Sequence, residues 1–108
     1  MKNLRNRVQL IGNLGADPEI KHLESGKTLA RFSLATSEHY TNQQGEKVSE
    51  TTWHHLVAWE KKAEIIEKYL KKGSEVLIEG KLVNRSYETQ EGEKKYISEV
   101  LVNELLLL

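Results

Sequence analysis

The segment "TTWHHLVAWEKKAEIIEKYLKKGSEVLIEG", residues 51–80, decides the fold. Its opening, "TTWHHLVAWE", is β-branched and aromatic, as a strand requires. Alternation puts Trp53, His55, Val57 and Trp59 on one face and His54, Leu56 and Ala58 on the other. The second face is the smaller, as a barrel interior needs. In "KKAEIIEKYLKKG" the period changes: Ala63, Ile66 and Leu70, with Ile65 and Tyr69, recur at helical spacing. Lysines crowd the last turn and Gly73 supplies a stop, so a helix is expected over residues 61–73. A strand returns in "EVLIEGKLVNRSYE", residues 75–88, where the interior Gly80 signals a bend or bulge.

Working outward, "NLRNRVQLIGN" places Leu4, Val8, Leu10 and Gly12 on one parity, a first strand over residues 4–12 that closes in the turn-rich "GNLGADPE". "TLARFSLATSEHY" alternates Ala30, Phe32, Leu34 and Thr36 against Arg31, Ser33 and Ala35, a second strand with one dry face and one mixed. "TNQQGEKVSE", residues 41–50, reads as an exposed polar loop. Past the fourth strand, a loop at "TQEGEK" leads to a fifth in "KYISEVLVNELLLL". Three strands, a helix and two strands match an all-β, five-stranded Greek-key barrel of the OB type, with the helix between strands 3 and 4. At 108 residues the chain is expected to form a single domain, 1–108, around one core.

Sixteen Lys and Arg balance sixteen Asp and Glu, so total charge gives no argument for an anionic partner and only the placement of charges can. The supply of Val, Ile and Leu reads as globular. With no cysteine, disulfides, zinc-thiolate sites and cysteine catalysis are excluded. No apolar run approaches the roughly 18 residues of a spanning helix, and the start "MKNLRNRVQLIGN" is no signal peptide, which leads us to expect a soluble, cytoplasmic protein.

Convergent chemistry is equally absent from the pattern. His54 and His55 are adjacent on a strand and point to opposite faces, so they cannot share a metal; no metal and no cofactor are expected. No phosphate-binding G-x-x-x-x-G-K-[ST] loop, G-x-S-x-G elbow or H-E-x-x-H pair occurs, and the acidic residues fall on turns, the helix and strand exteriors as solvated surface. The chain is not expected to be an enzyme.

The aromatic residues are more informative. Trp53 and Trp59 have a plain reading as core and a second as a stacking platform, since His55 lies between them and Lys61 and Lys62 follow. Tyr40 ends the second strand among polar residues, and Tyr87 shares its parity with Arg85 and Lys81 on the fourth. Aromatics interleaved with cations on strand exteriors suit unpaired bases, each stack being worth about 1 to 3 kcal/mol.

"NRVQLIGNLGADPEI", "ARFSLATSE", "TTWHHLVAW" and "YLKKGSEVLIEGKL" resemble, in order, the successive blocks of the bacterial single-stranded DNA-binding proteins, from about Asn6 to Asn103. That resemblance implies an OB-fold binding single-stranded DNA with little sequence preference, commonly as a homotetramer, and protecting it during replication, recombination and repair. It implies base stacking at Tyr40, Trp53, Trp59 and Tyr87, where the family commonly has Trp at the first and last and often Phe at Trp59. It also implies phosphate contacts at Arg7, Lys61, Lys72 and Arg85, with Lys21 and His55 at positions where arginine is frequent, and Lys62 beside them. The alternative is an OB-fold protein-interaction module similar to the primosomal accessory proteins; the full aromatic set argues against it.

Gln9, Ile11 and Asn13 face away from the first strand's core side, and the resemblance implies that two such strands, with Val8, pair across a dimer. The fifth strand is apolar on both parities, Ile97, Leu101 and Leu105 against Val100, Val102 and Leu106, so both of its faces are expected to be covered. A second dimer packing there would give a dimer of dimers, with Leu77 and, by family analogy, His54 in the contact. Family members generally continue into a Gly- and Gln-rich tail with an acidic tip that recruits replication and repair proteins, whereas this chain stops at "NELLLL". Recruitment through a tip is therefore not assigned to it.

Overall fold

The computed structural model describes residues 4–108, so the first three positions of the expected domain lie outside the described residues. In chain order the elements are β1 (Val8–Leu14), β2 (Glu19–His22), β3 (Thr28–Thr41), β4 (Lys47–Trp59), α1 (Lys61–Tyr69), β5 (Glu75–Glu88) and β6 (Lys94–Leu107). Neighbouring strands run β1-β5-β6-β4-β3, and the sheet closes because Asn13 and Leu14 of β1 pair with Ala35 and Leu34 of β3. β4 and β6 lie parallel at Leu56↔Val100 and Val57↔Leu101, while the other pairs are antiparallel. This is the expected Greek-key OB barrel with its helix between the third and fourth barrel strands.

The barrel is held by the inward parity of each strand. Leu34, Leu56, Ile66, Val76 and Ile78 are fully buried, and each such aliphatic side chain contributes about 1.5 to 3 kcal/mol by leaving water. The helix plugs one end of the barrel with Ala63 and Ile66, packing against β3, β4 and β6. Beyond the barrel, β3 and β4 continue as an exposed two-stranded arm to the pairing Thr41↔Lys47. That arm, together with the exposed far half of the β5–β6 hairpin out to Glu88↔Lys94, gives a radius of gyration of 16.1 Å, where a compact chain of this length has about 13 Å.

Several boundaries differ from those expected. The first strand runs Val8–Leu14 rather than 4–12; Asn6 instead bonds the Leu82 backbone through its side-chain amide. Residues 41–50 are not all loop, because Lys47 to Glu50 pair with β3 and only a tight turn remains. In that turn Asn42 Oδ1 accepts the N–H groups of Gln44 and Glu46, and Gly45 takes a φ of 80°. The short β2, which has no counterpart in the sequence reading, pairs with Thr28–Arg31 of β3. The helix stops at Tyr69: Leu70 is extended and buried in the core, and Gly73 belongs to the following turn, where it takes a φ of 90°.

Gly80 marks a bulge, as its sequence position suggests. The register shifts there from Glu79↔Glu104 to Gly80↔Val102, and a Cβ on Gly80 would collide with the Leu101 carbonyl. The shift leaves Asn103 as the extra residue of β6 and switches that strand's parity. Val100, Val102 and Leu105 therefore all meet the core, while Leu106 points out and is 57% exposed. Apolar residues on both parities of β6 are thus partly the signature of a bulge.

Candidate nucleic-acid interface

The strand parity of β4 decides between the two readings of the tryptophans. Leu56 and Ala58 point into the barrel and are buried, whereas Trp53 is 56% and Trp59 40% exposed. Neither tryptophan is core. Val57, between them, is buried on the outer side and supplies an apolar floor. Ala35 pairs with Trp53 and Leu29 with Trp59, and Leu29 in turn pairs with Lys21, which sets a cation in the row of Trp59.

Trp53 owes its posture to Gly15. A Cβ at that position would fall 2.7 Å from Cη2 of the ring, so the indole lies against bare backbone just after β1. On β5, Tyr87 is 46% exposed and pairs with Lys95, and the Arg85 guanidinium stands 5.9 Å from the Tyr87 ring centroid. Through Arg85↔Ile97 and Val83↔Glu99 on β6, then Val57↔Leu101 on β4, these side chains share one outer surface over β3, β4, β6 and β5.

Tyr40 stands apart from that surface. It pairs with Val48 on the arm and has the parity of Leu34 and Thr36, so along the β3–β4 ribbon it lies on the face opposite Trp53. Its hydroxyl donates to Glu50 Oε1 at 2.9 Å. That hydrogen bond, with smaller contributions from desolvation and the Glu38 charge, raises its ionisation above the ordinary tyrosine value.

The expected cations are distributed unevenly. Lys61 is exposed and Lys62 half-buried at the start of α1, next in sequence to the Trp59 end of β4. Lys72 is exposed in the turn after the helix, its backbone N–H bonded to Asp17 Oδ1 at 2.8 Å. Lys21 lies 3.8 Å from Glu19. His55 and Arg85 line a common cleft of about 330 Å³. Arg7 is elsewhere, on the β1–β5 side, paired with Glu79 at 3.0 Å.

Two residues of the cleft were missed by sequence reasoning. Glu99, expected among solvated carboxylates, is 4% exposed; Arg31 Nη1 reaches its Oε2 at 2.7 Å and Arg85 Nε its Oε1 at 2.9 Å. The available signal was an arginine within the mixed face of the second strand and an acid set just before the apolar Val100–Val102 run of the fifth. Among the described residues no group of three His, Asp or Glu side chains could hold a metal, and no helix is long and apolar enough to cross a membrane.

Of the residues expected at an assembly surface, Gln9 and Ile11 point outward from β1, while Val8 packs partly against the core. Ile11 pairs with Leu77, and Leu77 with Leu106, which makes an aliphatic row across β1, β5 and β6. From Val8 to Gly12, β1 is paired on the β5 side, and its other edge has no strand partner among the described residues. His54 has the parity of Leu56, and its Nε2 is hydrogen-bonded to Thr36 Oγ1 at 2.9 Å.

Comparison with known proteins fits this geometry. Residues 5–108 match the model of the single-strand binding protein family. The chain is 44% identical over 104 residues to single-stranded DNA-binding protein 1 of Chlorobaculum tepidum, covering 95% of this chain and 64% of that protein. It is 43% identical over 105 residues to the single-stranded DNA-binding protein of Bacteroides thetaiotaomicron, covering 95% and 65% respectively. The chain thus spans a little under two thirds of the length of these curated relatives. A solved structure of the Plasmodium falciparum SSB in complex with ssDNA superposes with a TM-score of 0.88 at 34% identity, covering 100% of this chain and 98% of that one. The family is named for binding single strands, and none of these matched proteins is named as an enzyme. By the family match along nearly all of its length, and by the barrel described above, this chain belongs to the single-strand binding protein family.

Proposed function

We propose that the chain is a single DNA-binding unit that takes up single-stranded DNA with little sequence preference. Bases stack on Trp53, Trp59, Tyr87 and, along the arm, Tyr40, while Lys21, His55, Lys61, Lys62, Lys72, Arg85 and Arg7 meet phosphates. The observation that carries this reading is the outward parity of both tryptophans on β4, half in solvent, with Lys21 in the row of Trp59. Two half-exposed indoles on one strand face make an apolar surface of the kind that marks a binding site, and flat rings suit flat bases. The relatives named above, one of them solved with ssDNA, support the same partner.

The assembly is a homotetramer, a dimer of dimers. The unpartnered β1 edge supports isologous pairing of two copies through Val8, Gln9 and Ile11, and the aliphatic row through Leu77 supports packing of a second pair. His54, tied to Thr36 on the β3–β4 ribbon, is assigned to the same contact by the family resemblance. In the cell the protein protects unpaired DNA during replication, recombination and repair, in the cytoplasm at the nucleoid.

The test is a titration of intrinsic tryptophan fluorescence with oligothymidine at several salt concentrations, with a matched duplex as control. Quenching by the single strand alone is expected. Affinity is expected to fall with salt at a slope of about −0.7 per phosphate neutralised. No quenching and no binding would overturn the assignment.

A further inference from the structure

The outer surface buries one carboxylate, and its two partners come from strands far apart in sequence. Glu99 on β6 receives Arg31 of β3 at 2.7 Å and Arg85 of β5 at 2.9 Å, while itself only 4% exposed. Burying an ionised carboxylate is costly unless it is well paired, and here two charge-assisted hydrogen bonds offset that cost. The price in freedom falls on the arginines, which are held rather than left to sample rotamers. The three residues line the 330 Å³ cleft together with His55, Asp17 and Glu19.

We infer that this cleft is a phosphate seat on the path of a bound single strand: Arg31 and Arg85 grip one backbone phosphate, and Glu99 is the positioning residue that aims them. The inference rests on the single-stranded DNA reading above. A guanidinium carries five N–H donors, and among the described residues each arginine spends one on Glu99. The remainder stay available at side chains that are about a third exposed, 30% for Arg31 and 42% for Arg85. Arg85 also lies against the Tyr87 ring, so fixing its guanidinium fixes the spacing between a held phosphate and a stacked base.

Net charge does not make this site. Three carboxylates, Asp17, Glu19 and Glu99, line the cleft against two arginines. An anion is therefore not drawn in by the cleft's total charge and can be held only by donors already in place. This gives the two roles of Glu99 opposite signs. If it merely compensates positive charge, removing its charge tightens DNA binding; if it positions the arginines, removing its charge weakens binding.

The experiment compares oligothymidine affinity of the wild type, Glu99→Gln and Arg31→Gln across a salt series, with thermal melts of each. Arg31→Gln is expected to bind about tenfold more weakly, the factor of a lost hydrogen bond to a charged group. Its salt slope should shrink by about 0.7, one phosphate's worth. Glu99→Gln is expected to bind more weakly than wild type although its net charge is more positive. Glu99→Gln binding as well as wild type or better overturns the positioning role, and Arg31→Gln with the wild-type slope overturns the phosphate seat. Should Glu99→Gln fail to fold, the slope of Arg31→Gln decides alone. Wild type that binds while both variants behave like it defeats this inference only; wild type that does not bind defeats the single-stranded DNA reading with it.

Discussion

Two exposed apolar surfaces of this barrel look alike by hydrophobicity and differ in everything else. On the outer face of β4 and β5 the apolar groups are Trp53, Trp59 and Tyr87, and the charges beside them include Arg85, Arg31, Lys21 and Lys61. Across β1, β5 and β6 they are Ile11, Leu77 and Leu106, and the next row in the register is Gln9, Glu79 and Glu104. Flat π-surfaces with held cations fit bases and phosphates; branched aliphatics fit another copy of the same sheet. The kind of partner is thus written in the shape of the apolar group and in which donors stand ready beside it.

The sharpest way to break that comparison is Leu77→Glu. The new carboxylate would stand in the middle of the aliphatic row, next to Glu79 on its own strand's outward parity. A buried, unpaired charge costs about 3 to 5 kcal/mol, enough to separate a dimer of dimers. Sedimentation equilibrium should then report smaller species built from the 12.4 kDa chain, with quenching by a short oligothymidine retained. An unchanged mass would remove the row from assembly.

On the other surface, Trp53→Ala and Trp59→Ala should each weaken single-strand binding by about 1 to 3 kcal/mol with little change in melting temperature. A variant that unfolds, or that falls apart with intact DNA affinity, would return its tryptophan to a structural role. Gly15→Ala sharpens the same point without touching an aromatic. Its methyl would push the Trp53 ring off its seat, and the expected loss is about 1 kcal/mol, smaller than for Trp53→Ala. Equal affinity for Gly15→Ala would mean that the ring stacks equally well wherever it rests.

What could be read from the sequence follows from burial. The fourth barrel strand, Glu75–Glu88, was legible residue for residue because its first half alternates into the core. The parity of β4 was legible for the same reason. Lys47 to Glu50 were not, because the arm stands clear of the barrel and only backbone pairing with β3 holds it extended. β2 has four residues and too little length for a period. The outward turn of Leu106 was hidden by the bulge at Gly80, which offsets every later residue of β6 by one. Glu99 escaped because its partners lie 68 and 14 positions away, and periodicity carries no information about pairs that only the closed sheet brings together.

The smallest expected effect separates Tyr40 from the other three aromatics. Trp53, Trp59 and Tyr87 share the outer surface of the barrel, while Tyr40 lies on the other face of the arm and is tethered by Glu50. Because the carboxylate accepts the phenol's hydrogen bond and repels the phenolate, Tyr40 should ionise above the usual tyrosine value, and Glu50→Gln should move it back down. Absorbance of the phenolate across an alkaline titration, with Tyr40→Phe to identify the signal, checks this. The same Glu50→Gln variant removes a negative charge and frees the ring, so single-strand binding should change only slightly and in the direction of tighter. A clear loss of affinity would instead make the tether part of the binding surface, with the arm holding Tyr40 in place as Gly15 holds Trp53.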